Sequence, residues 1–265
     1  MPEGHTIHRI AKDHSPLLVG RPVSVSSPQG RFEGDAERVD GQVLDAIEAY
    51  GKHLFYHWAN GDVGHVHLGL FGKFRVSKGP DAPAPVGMVR MRMRTDLATI
   101  DLAGPTDCTI GTADDRATIL ARLGPDPLRR DAKPHLAMDR MAKSKLPLGS
   151  LLLDQKVLCG VGNVYRAEAL FVNGIHPLRT GNATDRADLE ALWETVVVML
   201  RKGVKDNRIV TVDRREVDLP KGRRLRRGEA TYVYHRDRCL RCDTVVQTVQ
   251  LAGRPCYFCP TCQPH

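Results

Sequence analysis

Cys239-Leu240-Arg241-Cys242 and, sixteen residues further on, Cys259-Pro260-Thr261-Cys262 decide how the last part of the chain folds. Two C-x2-C knuckles at this spacing present four thiolates to one tetrahedral zinc. Cys256-Tyr257-Phe258-Cys259 is also C-x2-C, but it would shorten the spacer to thirteen residues, below the usual range. The 259/262 pair is therefore preferred, and Cys256 is left as a packing residue or spare thiol. A closed four-thiolate site has no open coordination position, so the single zinc expected here is structural. A segment of about 40 residues has too little core to fold unaided, and metal binding supplies the missing stabilisation. Arg254 lies in the hairpin between the knuckles, where its side chain can point outward at a nucleic acid. By itself, an Arg on a loop is usually just solvated.

The surrounding sequence is strongly basic. Residues 201–265 hold 15 Lys/Arg against 7 Asp/Glu, whereas residues 1–200 balance at 24 each, so the whole net charge of +8 sits in the last quarter. That distribution suits a polyanion and equally a solubilising surface. The other two of the seven cysteines, Cys108 and Cys159, stand alone and read as small buried residues. There is no secretory pattern and no run long enough to span a membrane, which places the protein in the cytosol.

Upstream, His5 to Leu18 carries Ile7, Ile10, Ala11, Leu17 and Leu18 at helical spacing, so an amphipathic helix holds the N-terminus. Short β-like runs follow at 53–58, 63–67, 73–77, 89–95 and 98–102, with a turn at Asn60-Gly61, and predict an antiparallel sandwich or barrel. Arg90, Arg92 and Arg94 alternate with Val89, Met91 and Met93, which predicts a guanidinium face that is either solvated or turned toward DNA. Pro80 to Pro85 is a Pro/Ala-rich loop. The β signals stop near Leu102, and Gly124-Pro125-Asp126-Pro127 reads as a linker. Helical patterns at 151–158, 164–172 and 189–200 follow, and then a basic run from Lys221 to Arg241.

Four features coincide along the chain: Pro2-Glu3-Gly4; Gly51-Lys52-His53-Leu54; Gly160-Val161-Gly162-Asn163-Val164-Tyr165 with Glu168 and Gly174-Ile175-His176-Pro177; and the cysteine module with Arg254. Together they resemble the formamidopyrimidine-DNA glycosylase / endonuclease VIII family over nearly the whole length. The resemblance implies an α+β, multidomain fold: an N-terminal antiparallel β-sandwich with a leading helix (1–124), a helix-two-turn-helix domain (125–220) and a C-terminal zinc finger (221–265). It implies a monomer acting on damaged DNA, double- or single-stranded, in the cytoplasm or at the nucleoid, as a bifunctional glycosylase and AP lyase.

In that scheme the secondary amine of Pro2 attacks the sugar C1′ once Met1 is removed, and the resulting iminium drives β- and δ-elimination. Glu3 protonates the ring oxygen, which requires burial. Lys52 contacts a flanking phosphate. Asn163, placed to cap its helix, joins Arg254 in a phosphate clamp, and Leu70 and Phe71 form a wedge that fills the hole left by the extruded base. Family members often have Pro-Glu where this chain has His5-Thr6, and Gly69 replaces a longer polar residue. The Pro-Glu-Gly opening and Leu70-Phe71 look more like the endonuclease VIII branch, so oxidised pyrimidines are the expected lesions. Oxidised purines, or a non-catalytic DNA-binding zinc protein on the same scaffold, are the alternatives.

Overall fold

Ile7, Ala11, His14 and Leu18 recur at helical spacing, and all four are buried along one side of α1 (Gly4–Leu18). Pro16, which cannot continue the backbone hydrogen-bond ladder, sits in the last turn and the helix ends two residues later. The computed structural model describes residues 2–79, 81, 83–217, 223 and 225–265. Pro80 and Ala82 of the Pro/Ala-rich loop, the expected 220/221 boundary, and Lys221 and Arg224 of the basic run lie outside the described residues.

The described chain forms two compact units, Met1–Glu3 with Ile7–Arg122 and Gly4–Thr6 with Leu123–His265. The first holds α2 (Glu33–Val39) and two antiparallel four-stranded sheets. One sheet orders β1 (Ser24–Ser26), β6 (Val89–Arg94), β7 (Ala98–Ala103) and β5 (Lys73–Lys78). The other orders β2 (Leu44–Tyr50), β3 (His53–Trp58), β4 (Val63–His67) and β8 (Asp107–Gly111), and α3 (Ala113–Ala121) follows it. Leu54, Tyr56, Trp58 and Val66 from the second sheet share one core with Met91, Met93, Ile100 and Leu102 from the first, which makes the pair a β-sandwich.

The second unit is helical, with α4 (Pro134–Ala142), α5 (Leu148–Leu151), α6 (Asn163–Val172) and α7 (Arg186–Asp206). Leu189, Leu192, Trp193, Val196 and Leu200 of α7 are buried, as their spacing requires. The hairpin β9 (Gln247–Leu251) and β10 (Arg254–Phe258) completes it. Ala252 and Gly253 both have positive φ, 52° and 72°, the backbone of a tight type I′ turn.

Several expectations need correction. The helix read over 151–158 is only the short α5 followed by turns, because the chain reverses at Asp154 and Val157 donates back to its carbonyl. The β pattern does not stop near Leu102, since β8 pairs with β4 from Asp107 to Gly111. Gly124-Pro125-Asp126-Pro127 does lie where the second unit begins, but it is packed rather than free: Pro125 and Asp126 are buried and Gly124 is half-buried, Gly124 donates to the Gln155 carbonyl, and Cys159 donates to that of Pro125. A Cβ on Gly124 would meet the Val157 carbonyl oxygen at 2.4 Å, so the glycine is a packing requirement. Nor do the three arginines of β6 form one open face. Arg92 is buried and donates twice to Asp101 on β7, at 2.6 and 2.8 Å, while Arg94 alone is exposed.

Candidate active site

The Pro-Glu-Gly terminus is fixed by its glycine. The Gly4 amide donates to the Gly160 carbonyl at 2.7 Å, and a Cβ on Gly4 would lie 2.9 Å from Gly160 Cα. No other residue type lets the two backbones approach so closely. Gly160 has φ 89°. Its amide donates to Gln155 Oε1 at 3.0 Å, and Gln155 Nε2 donates to the Val161 carbonyl at 3.0 Å. His5 packs edge-on against Tyr165 at 5.3 Å, and Gly203 of α7 leaves the space for both: its Cβ would meet the Tyr165 hydroxyl at 2.2 Å. Burial lowers the His5 pKa to about 4, so its ring is neutral at neutral pH. Pro2 is half-buried and Glu3, the N-cap of α1, is fully buried.

Lys52 sits with Gly51 at the two-residue turn between the paired Tyr50 and His53. Gly51 has φ 57°, and Lys52 lacks a positive φ, the signature of a type II′ turn. His53 of that motif shares one face of the sheet with His65 and His67, a grouping absent from the sequence-based expectations. His53 and His65 share a 2.9 Å hydrogen bond, and the His53 and His67 rings are 5.0 Å apart. Burial, mutual repulsion and the Arg122 and Lys52 charges hold His53 down at about 3, while burial first of all takes His65 to about 4. Burial also lowers His67, with Lys52 adding to the effect and Asp107 opposing it. The pattern His65-Val66-His67 on a strand was the available signal, since alternate residues share a face.

Leu70 and Phe71 occupy the loop between β4 and β5 and are 55% and 84% exposed. The loop is closed by Gly72 donating to the Leu68 carbonyl at 2.9 Å, and Gly69 has φ 63°. A Cβ on Gly69 would fall 1.9 Å from Thr106 Oγ1, which explains why a longer residue is missing there. Leu68 is the buried anchor, so the next two apolar side chains are not core.

Asn163 does not cap α6, because Gly162 occupies the N-cap position. Its amide instead donates to the Pro255 carbonyl at 3.0 Å, next to Arg254, and its oxygen accepts from Arg166. Arg166 is fully buried and donates to the carbonyls of Gly149 and Leu251 at 3.0 and 3.1 Å. Thus Asn163 and the half-buried Arg254 are brought together through the hairpin backbone. Glu168, two residues along α6, accepts from the amides of Tyr232, Val233 and Tyr234 at 2.7, 2.9 and 2.9 Å and from the Thr211 hydroxyl. Burial raises its pKa while these four donors oppose the rise.

The thiols of Cys239, Cys242, Cys259 and Cys262 lie within 4.8 Å of one another. The Cys239–Cys262, Cys242–Cys259 and Cys242–Cys262 sulfurs are 3.9, 3.4 and 3.5 Å apart. Four thiolates at about 2.3 Å from one zinc would stand about 3.8 Å apart, so the donor set fits that ion. Cys256 is fully buried in the helical core instead. Gln263 ties the second knuckle down, accepting from the Cys259 amide at 3.0 Å and donating to the Ile175 carbonyl at 2.8 Å.

Comparison with known proteins yields three family matches. Residues 1–108 match the formamidopyrimidine-DNA glycosylase N-terminal domain, residues 123–214 the formamidopyrimidine-DNA glycosylase H2TH domain, and residues 236–264 the zinc finger found in FPG and IleRS. The chain is 46% identical over 268 residues to Endonuclease 8 1 of Mycobacterium tuberculosis, covering 99% of this chain and 100% of the relative. It is 28% identical over 291 residues to the formamidopyrimidine-DNA glycosylase of Thermomicrobium roseum, covering 100% and 99%. A Lactococcus lactis FPG mutant in complex with Fapy-dG-containing DNA superposes with TM-score 0.81 at 23% identity, over 100% of both chains, and shares the fold.

The cysteine geometry makes a direct prediction. Cys239→Ser and Cys262→Ser should each lower bound zinc and melting temperature, whereas Cys256→Ser should keep the metal. Elemental analysis checks this; metal loss from Cys256→Ser with retention in Cys262→Ser would contradict the ligand set.

Proposed function

Because this chain belongs to the formamidopyrimidine-DNA glycosylase / endonuclease VIII family, on the endonuclease VIII side, we propose that it is a bifunctional glycosylase and AP lyase for oxidised pyrimidines, with Pro2 as nucleophile. That it is a DNA glycosylase of DNA repair follows from the family; the chemistry below is our reading. The observation that carries it is the Gly4–Gly160 backbone contact, which ties the residue directly after Pro2 and Glu3 in the chain to the loop that leads into Asn163.

The Pro2 amine attacks C1′ with its lone pair and the bond to the base breaks. The buried Glu3 supplies a proton to the ring oxygen, opening the sugar. The iminium accepts electrons as the C2′ proton leaves, so the 3′ phosphate departs, and the 5′ phosphate follows by δ-elimination. Lys52, Asn163 and Arg254 hold phosphates flanking the lesion. Leu70 and Phe71 repay part of the stacking lost on extrusion, which their exposure supports. Cys239, Cys242, Cys259 and Cys262 would hold one zinc, whose contribution is to fold the hairpin carrying Arg254. Among the described residues no helix is long and apolar enough to cross a membrane, and we place the protein with DNA in the cytoplasm as a monomer.

Borohydride trapping on abasic DNA tests the nucleophile. Retained Met1 turns the Pro2 nitrogen into an amide, so such protein, or Pro2→Ala, should lose the adduct while still binding DNA. Full cleavage by Met1-retained protein would overturn the assignment. The wedge is tested separately: Leu70→Ala with Phe71→Ala should lower excision from duplex by about tenfold or more, yet leave trapping on a ready-made abasic site nearly intact. Equal losses on both substrates with a lowered melting temperature would contradict it.

A further inference from the structure

Tyr234, His235 and Tyr257 form an aromatic cluster that the catalytic reading leaves unused. Tyr234 meets His235 and Tyr257 edge-on, with centroids 4.6 and 5.1 Å apart and interplanar angles of 78° and 65°. His235 and Tyr257 are 4.8 Å apart and tilted by 38°, with the Tyr257 hydroxyl 3.3 Å from the imidazole nitrogens. Each edge-on contact sets the edge of one ring on the face of another, and Tyr234 and Tyr257 are partly buried against the core that holds Tyr232 and Val233, so His235 is the ring the cluster exposes. The cluster is built on rigid supports. Tyr257 belongs to β10, and the Tyr234 amide is held by the buried Glu168 at 2.9 Å.

His235 is exposed and has φ 53°, the left-handed region where glycine is at ease and a side chain costs about 1 kcal/mol or more. The sequence therefore places an aromatic ring where the backbone favours none. Five arginines (226, 227, 236, 238 and 241) against Glu229 and Asp237 surround it in sequence. Arg241 is already committed, stacked on Phe171 and Tyr232 at 4.8 and 5.1 Å and paired with Glu216.

We propose that Tyr234, His235 and Tyr257 form a stacking platform for an unpaired nucleobase of a DNA strand whose phosphates run along this arginine-rich segment. The proposal rests on the DNA-acting reading above and adds a base-binding site to it. A base within a duplex has both faces covered by its neighbours, so only an unpaired base can offer one to a protein ring. Stacking on an aromatic is sequence-tolerant, because every base has a π face, and the flanking positive charge retains the strand. Neither a peptide nor a lipid headgroup combines a flat π surface with a regular row of anions in this way.

Salt dependence separates stacking from phosphate binding. A lost phosphate contact reduces the slope of log affinity against log salt, whereas a lost stack lowers affinity at every salt concentration with the slope unchanged. The experiment uses the full zinc-loaded chain and a short single-stranded oligonucleotide carrying 2-aminopurine. His235→Gly suits the positive φ and so preserves the backbone; it should weaken binding about tenfold, reduce 2-aminopurine quenching and leave the salt slope alone. His235→Phe, which restores a ring, should recover most of both signals. Affinity and quenching within twofold of the parent in His235→Gly, a slope reduced by about one, or a His235→Phe variant as weak as His235→Gly would each overturn the platform. Borohydride trapping on abasic duplex by the same variants reports the Pro2 chemistry independently, so failure of the platform and failure of the glycosylase reading are distinguishable.

Discussion

Two glycine backbones in contact fix the position of Gly4 against the loop at Gly160. Gly4 lies against Gly160 closely enough that neither could carry its neighbour's approach with a side chain at position 4, and the 2.7 Å hydrogen bond fixes the distance. Because Gly4 is the first residue of α1, the contact holds the start of that helix. His5 packs a neutral ring against Tyr165 in the space left by Gly203. The terminus is therefore held by packing as well as by one hydrogen bond.

The loop that receives Gly4 continues into α6, and α6 organises the rest of its unit through two buried charges. Arg166 gathers carbonyls from the α5 segment and the β9–β10 hairpin, and Glu168 gathers three consecutive amides at 232–234. Leaving either group without its partners would leave its desolvation penalty uncompensated, a cost of about 1–3 kcal/mol or more. The metal module is thereby attached to the same helix that carries Asn163. A zinc ion held by the four thiolates would stabilise the knuckles locally, while Arg166, Glu168 and Gln263 supply the attachment.

Legibility in the sequence followed the range of the interaction. The clustering of Cys239, Cys242, Cys259 and Cys262 was readable because knuckle spacing is local, and α1 and α7 because a long apolar stripe has one interpretation. β2 was missed because a register shift between Leu44 and Ala46 breaks its alternation, and β8 because it offers only Cys108 and Ile110 as inward residues. Arg166 and Arg92 could not be distinguished from surface arginines: the partners of the first include the Gly149 carbonyl and hairpin carbonyls 85 to 89 residues away, and that of the second is a carboxylate on the next strand. Pro-Glu-Gly and Gly-Val-Gly-Asn were legible as separate motifs. That they are halves of one contact required coordinates.

The most direct measurement of that contact is the rate of borohydride-trapped adduct formation on a ready-made abasic site by Gly4→Ala protein with Met1 removed and Pro2 intact. The added methyl must push on the Gly160 backbone, and a displacement of about 1 Å at a reacting amine costs on the order of a hundredfold in rate. The account predicts a loss of at least about tenfold with zinc content and DNA affinity preserved. An unchanged rate would contradict the proposal that this contact positions the Pro2 amine for attack.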